Sequence, residues 1–222
     1  MKRILIIVVL LLGGYLAAFG QEFERMVFTA EDGTELNYRL LRPAETAKAK
    51  KFPLIIFLHG LGERGTDNDR QLTWGGNMFL NPVNMEKYPA YVLFPQCPET
   101  AFWAYKDIPA SYDALDAEGQ MPAPFKAVKE MIDTYLTYPD IDRSRVYIMG
   151  LSMGGMATYD MVSRFPEIFA AAIPICGAVE PSRLAGIEGV SFRIFHGDAD
   201  TVVPVKCSRE AYKALKEAGV KV

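Results

Sequence analysis

Histidine is nearly absent from this sequence, with two in 222 residues, His59 and His196, beside only three cysteines, Cys97, Cys176 and Cys207. So few ligands at such spacings exclude a zinc site of the usual kind, and an odd, scattered set of cysteines excludes a disulfide framework. Blocks of like charge are missing too, beyond Lys48, Lys50 and Lys51, and the formal net charge is only −3 from 24 basic and 27 acidic residues. That balance argues against a nucleic-acid partner and points to a neutral or small substrate. There is no internal repeat and no low-complexity segment. Nothing calls for a cofactor.

Long apolar runs are missing as well, except one at the start. Lys2 and Arg3 precede an apolar stretch from Ile4 to Leu12, and Ala18-Phe19-Gly20 supplies small residues before Gln21. This is the pattern of a signal peptide over residues 1–20, and it predicts an exported protein, periplasmic or extracellular, without stable membrane insertion after cleavage. The competing reading is an uncleaved anchor, since the apolar run to Phe19 approaches the roughly 18 residues needed to span a bilayer. No cysteine follows the cut to carry a lipid.

What remains, residues 21–222, is half apolar, enough for one well-buried domain. Two alternating segments between Arg25 and Arg42 flank the turn signal Glu31-Asp32-Gly33-Thr34 and predict an antiparallel hairpin. Short apolar runs then follow at 53–60, 90–96, 144–150, 169–177 and 191–197. Runs of this kind are strands buried on both faces, as in a parallel sheet. Helical patterns lie between several of them: Pro122 to Tyr138, Met153 to Phe165 and Pro204 to Gly219. Strand–helix alternation after an antiparallel start predicts an α/β fold of three layers, with ligands beyond the carboxyl ends of the strands. After Gly219, Val220-Lys221-Val222 alternates as the start of a further strand does.

The chemistry gathers at three strand ends. Gly150-Leu151-Ser152-Met153-Gly154 lies between an apolar strand and a helix, where a sharp turn projects a serine Oγ above the sheet and glycines relieve the crowding. Ser152 is the expected nucleophile, against a plainer role as a helix N-cap. The glycine-rich turn after His59 can aim backbone N–H groups at a developing oxyanion, so Leu61 and Met153 are the expected donors. The loop after His196 carries Asp198 and Asp200, and Asp200 is the preferred partner for an imidazole. For either aspartate the alternative is to cap its own loop.

These motifs, with Pro95-Gln96-Cys97-Pro98-Glu99, Trp103 and Ile173-Pro174-Ile175-Cys176-Gly177, resemble the α/β-hydrolase family of esterases and predicted peptidases related to phospholipase/carboxylesterases and dienelactone hydrolases. The resemblance runs from about Pro53 to Val205. It implies an α/β-hydrolase fold and a serine hydrolase that cleaves carboxylic esters through an acyl-enzyme. Under it Ser152 is the nucleophile, Asp200 the acid and Leu61 an oxyanion donor. Trp103 matches a family tryptophan near the active-site mouth, although an aromatic in such a loop can equally be packing. The implied partner is a small-molecule or polysaccharide-linked ester. A peptidase of the same fold is the neighbouring possibility.

The catalytic base is harder to place. His59 belongs to the oxyanion loop, where a structural role is expected. His196 lies on a strand two positions from the serine's, about 10 Å away at the backbone, too far for a hydrogen bond. Cys97 and Cys176 end strands with two others between them, about 15 Å apart, beyond disulfide reach. The resemblance places the catalytic histidine after one more strand, beyond Val222. The expectation is therefore a fragment lacking its last strand and helix, nearly inactive as written and poorly soluble through an open sheet edge. A non-catalytic module of the same fold is the reading from another class.

Overall fold

The computed structural model describes residues 22–44, 47, 49–105 and 121–222, and the expected leader at 1–20 lies outside them. Seven strands form one sheet among these residues: β1 (Glu24–Thr29), β2 (Glu35–Leu41), β3 (Phe52–Leu58), β4 (Tyr91–Pro95), β5 (Ile141–Leu151), β6 (Ala171–Ile175) and β7 (Ser191–Phe192). Their order is β1-β2-β4-β3-β5-β6-β7. β1 and β2 form the expected hairpin, turned by Gly33 at φ 85° with the Asp32 carboxylate accepting from the Thr34 N–H at 2.9 Å. β2 joins β4 antiparallel, and every pairing from β4 onward is parallel.

Parallel pairing places β3 and β5 side by side, with Leu58 opposite Gly150. The carboxyl ends of the two strands that carry the glycine turn and the serine turn therefore meet. One sheet face is sealed: Leu54, Ile56, Leu58, Val146, Ile148 and Ala172 are wholly buried under α3 (Ala123–Tyr135) and α4 (Met153–Arg164). The other face is covered where β2, β4 and β3 lie, by Phe79 and Leu72 against Phe57, Val92 and Phe94. The covering elements there are short, α1 (Gly76–Phe79) and α2 (Pro82–Lys87), so Ile55, Tyr147, Met149 and Ile173 are only half-buried. Burial on both faces, expected from the apolar runs, is complete on one face only.

β7 is also shorter than the apolar run at 191–197 predicts. Arg193 N–H donates to the Ala172 carbonyl at 3.0 Å and Phe195 N–H to Pro174 at 3.2 Å, but the rung between them needs an N–H that Pro174 does not have. Pairing resumes as a single bridge between Ile175 and Phe195. α5 (Val205–Glu217) follows, ending at Gly219 with φ 76°, and Lys221 then bridges Ser191 in parallel.

Candidate active site

Ser152 stands between β5 and α4 at φ 53° and ψ −113°, a region that costs a non-glycine residue roughly 1–3 kcal/mol. It is held there by its N–H, which donates to the Ile175 carbonyl at 2.8 Å, and by α4, whose Met156 N–H donates to the Ser152 carbonyl at 2.9 Å. The flanking glycines are steric necessities. A Cβ on Gly150 would lie 2.2 Å from the Gly154 carbonyl oxygen, and one on Gly154 would lie 1.9 Å from that of Leu58. The strand-to-helix turn closes this tightly only because those positions carry no side chain.

Gly60 brings the second motif to the serine. A methyl on it would stand 3.7 Å from Ser152 Cβ and 2.9 Å from Glu63 Oε2. Leu61 opens a 3₁₀ turn over Leu61–Glu63, and Met153 is the first residue of α4. First-turn N–H groups have no partner within their own helix, and both expected oxyanion donors occupy such first-turn positions. Leu61 is 39% exposed whereas Met153 is buried.

His59 is the keystone of this loop. Its Nδ1 pairs with the Gly60 carbonyl at 2.6 Å and its Nε2 accepts from the Cys97 N–H at 2.9 Å, so the proton sits on Nδ1. The ring is buried beside Trp103, and burial pushes its pKa down to about 4. Trp103 is wholly buried and its indole N–H donates to the His59 carbonyl at 3.2 Å. Of the two roles open to Trp103, packing is the one its burial supports, because no face of the indole is left for a substrate. Burial also pushes the Cys97 thiol up to about 12, leaving it inert.

The neutral His59 makes the fold acid-sensitive. Between its ordinary value of 6.5 and its folded value of about 4, the unfolded chain binds a proton that the folded chain does not. Stability should therefore fall with pH through that window, by about 3 kcal/mol in all. Asp67 and Asp200, whose pKa values are lowered, add losses only below their ordinary 3.8. Urea midpoints at pH 7.5 and 4.5 check this, and His59→Gln should flatten the difference while lowering stability at both.

Asp200 is placed at the β7 end, but its Oδ1 caps its own loop, accepting from Val202 N–H at 2.8 Å and Val203 N–H at 3.0 Å. The Val202 N–H, with that of Val203 and the charge of His196, holds its pKa below 3.8, so it is ionised at neutral pH. Its Oδ2 lies 3.5 Å from His196 Nε2. His196 is spent elsewhere: Nδ1 pairs with Ser208 Oγ at 2.7 Å and Nε2 with the Val203 carbonyl at 2.8 Å. Asp198 is exposed.

Glu63 and Trp74, to which the sequence reading gave no role, stand at the site with Cys176, which it gave no catalytic part. Cys176, at φ 40° after β6, has its thiol against the Ser152 backbone and in the field of Asp200; it joins the two motifs. Glu63 lies beside Gly60, and its Oε1 accepts from the indole N–H of Trp74 at 3.0 Å, an indole that is 57% exposed. A tryptophan directly before Gly75-Gly76 was the available signal. Among the described residues no three His, Cys, Asp or Glu side chains converge on a metal position, and none of the three cysteines is in a disulfide.

The profile of the phospholipase/carboxylesterase family matches residues 43–222. A solved thermostable esterase superposes with a TM-score of 0.81 at 39% identity, over 90% of this chain and 53% of that one. Poly(3-hydroxyalkanoate) depolymerase C of Paucimonas lemoignei is 43% identical over 51 residues, 23% of this chain and 12% of the depolymerase. Feruloyl esterase B of Neurospora crassa is 26% identical over 213 residues, 80% of this chain and 68% of that enzyme. The chain thus spans less than two thirds of the depolymerase and of the thermostable esterase. By fold, by serine turn and by profile, the chain belongs to the phospholipase/carboxylesterase family of α/β-hydrolases.

Proposed function

We propose that this chain carries the nucleophile of a serine hydrolase that cleaves carboxylic esters through an acyl-enzyme. The observation that carries the reading is Ser152 itself, held at a costly positive φ with Gly60 against its Cβ; a plain N-cap needs neither. Ser152 Oγ attacks the ester carbonyl carbon and loses its proton to a base, while the N–H groups of Leu61 and Met153 take the oxyanion. The C–O bond to the alcohol then breaks, the alcohol leaves with the proton, and water releases the acid by the reverse order of events. Ester-cleaving relatives support the choice of bond.

Neither histidine of this sequence is offered to Ser152, since both imidazoles bond elsewhere. Asp200 would orient an imidazole that these two do not supply. The same observation favours a second reading, a binding module that keeps the elbow without the chemistry. A fluorophosphonate probe separates the two. On the catalytic reading the 222-residue chain gains one adduct, imidazole in solution speeds its formation about tenfold or more by acting as the base, and Ser152→Ala gains none. No adduct at any imidazole concentration would leave the binding module. The basic and apolar start of the sequence supports export, which fractionation of expressing cells would test by finding mature protein beginning near Gln21.

A further inference from the structure

We propose that Trp74 and Glu63 form a carbohydrate-binding subsite beside Ser152, so that the alcohol half of the ester is a sugar. The claim about the substrate rests on the hydrolase reading; the subsite itself does not. Trp74 is a large aromatic left 57% exposed, yet it is firmly mounted. Its N–H is bonded to Glu63, and the next residue, Gly75 at φ 94°, packs so closely that a Cβ would lie 2.8 Å from the Phe57 ring. Gly76 also packs tightly, with a Cβ there 3.1 Å from Leu72. An indole face fixed in this way has lost its freedom before any ligand arrives, which lowers the entropic cost of binding.

The pairing selects the ligand. An exposed indole face takes a flat apolar surface, and a carboxylate beside it is an acceptor only. A sugar ring offers both, a C–H face for the indole and hydroxyl donors at its edge for Glu63. A lipid chain or an aromatic acyl group would cover the indole but strip water from Glu63 without repaying it in hydrogen bonds. Glu63 Oε2 and Ser152 Cβ both lie within 4 Å of the point a Cβ on Gly60 would occupy, at 2.9 and 3.7 Å, so a sugar held by Glu63 is beside the nucleophile.

The chain's only other tryptophan, Trp103, is wholly buried, so acrylamide quenching reports Trp74. Titrating the 222-residue chain with cellotetraose, xylotetraose and mannotetraose should give saturable protection from acrylamide with at least one of them. Glu63→Gln should weaken that binding about tenfold, the loss expected for a charged hydrogen bond, and Trp74→Ala should abolish it by calorimetry. Trp74→Phe, which keeps an aromatic face, should retain weak binding and guards against misfolding of the alanine variant. Protection by none of the three sugars, equal heats from Trp74→Ala, or protection by methyl ferulate alone would each overturn the subsite. Sugar protection without a phosphonyl adduct would leave the subsite standing and overturn the hydrolase reading; an adduct without protection would do the reverse.

Discussion

Gly154→Ala will leave little or no folded protein. The new Cβ would stand 1.9 Å from the Leu58 oxygen, 2.4 Å from its carbonyl carbon and 2.8 Å from the His59 oxygen. All three are backbone atoms of a central strand end, so no side chain can rotate out of the way. α4 would have to retreat from β3 by roughly 1 Å in an interior packed as densely as a crystal. Every residue from Met153 to Val162 is buried, so such a retreat opens the whole helix–sheet seam. Overpacking commonly costs about 1–3 kcal/mol where side chains can yield; with backbone on both sides the cost should exceed that, against a total stability of about 5–15 kcal/mol. Gly62→Ala is the control, because a Cβ there meets nothing within 4 Å. Soluble yield and thermal melts compare the two. A Gly154→Ala protein melting within ~5 °C of its parent would mean that the elbow relaxes at a cost of only about 1–3 kcal/mol.

Asp160→Ala should be the most damaging change away from the site. The Asp160 carboxylate is 1% exposed and holds two guanidinium groups, Arg164 at 2.8 Å within α4 and Arg183 from the turn at Pro181–Leu184. Those arginines are themselves only 22% and 13% exposed. Removing the carboxylate takes away the buried acceptor that both guanidinium groups share, in a site that water barely reaches, and breaking a buried pair in this way costs about 3–5 kcal/mol. For a chain of this size the melting temperature should fall by about 10 °C. Molar salt should not reproduce the loss, since it screens exposed pairs far more than enclosed ones. Arg183→Met should cost less, because Asp160 keeps Arg164. An Asp160→Ala protein within about 1 kcal/mol of its parent would show that the pair is solvated in solution.

The parts of the fold that a sequence pattern can express were legible. The hairpin came from alternation around Asp32-Gly33, and α3, α4 and α5 from apolar spacing with Pro122, Pro204 and Gly219 at their ends; each is present within a few residues. The β3–β4 connection was not legible, because its shape comes from distant polar anchors. Arg39, buried on β2, donates to the Phe23 carbonyl and to Asp69, and Gln96 holds Asn68 and Asp67. No periodicity encodes such a network. α2 starts after Asn81, whose side chain accepts from Val83 N–H, but a helix of six residues is too short to show a repeat.

By itself the sequence determined the order of strands and helices, the identity of the turn that carries Ser152, and the family, because each depends on local pattern: apolar period, glycine and proline placement, and a five-residue spacing. Tertiary structure alone decided what each polar residue is spent on. His59 and His196 are both consumed by loop carbonyls, Asp200 caps its own turn while staying ionised, and Trp103 is sealed inside whereas Trp74 is mounted in water next to Glu63. The reason is physical. Many of these partners are near neighbours in the chain, but which of them a side chain keeps, and its share of solvent, are fixed when β3, β4, β5 and β6 pair in register and bring distant groups such as Cys97 and Trp103 onto His59.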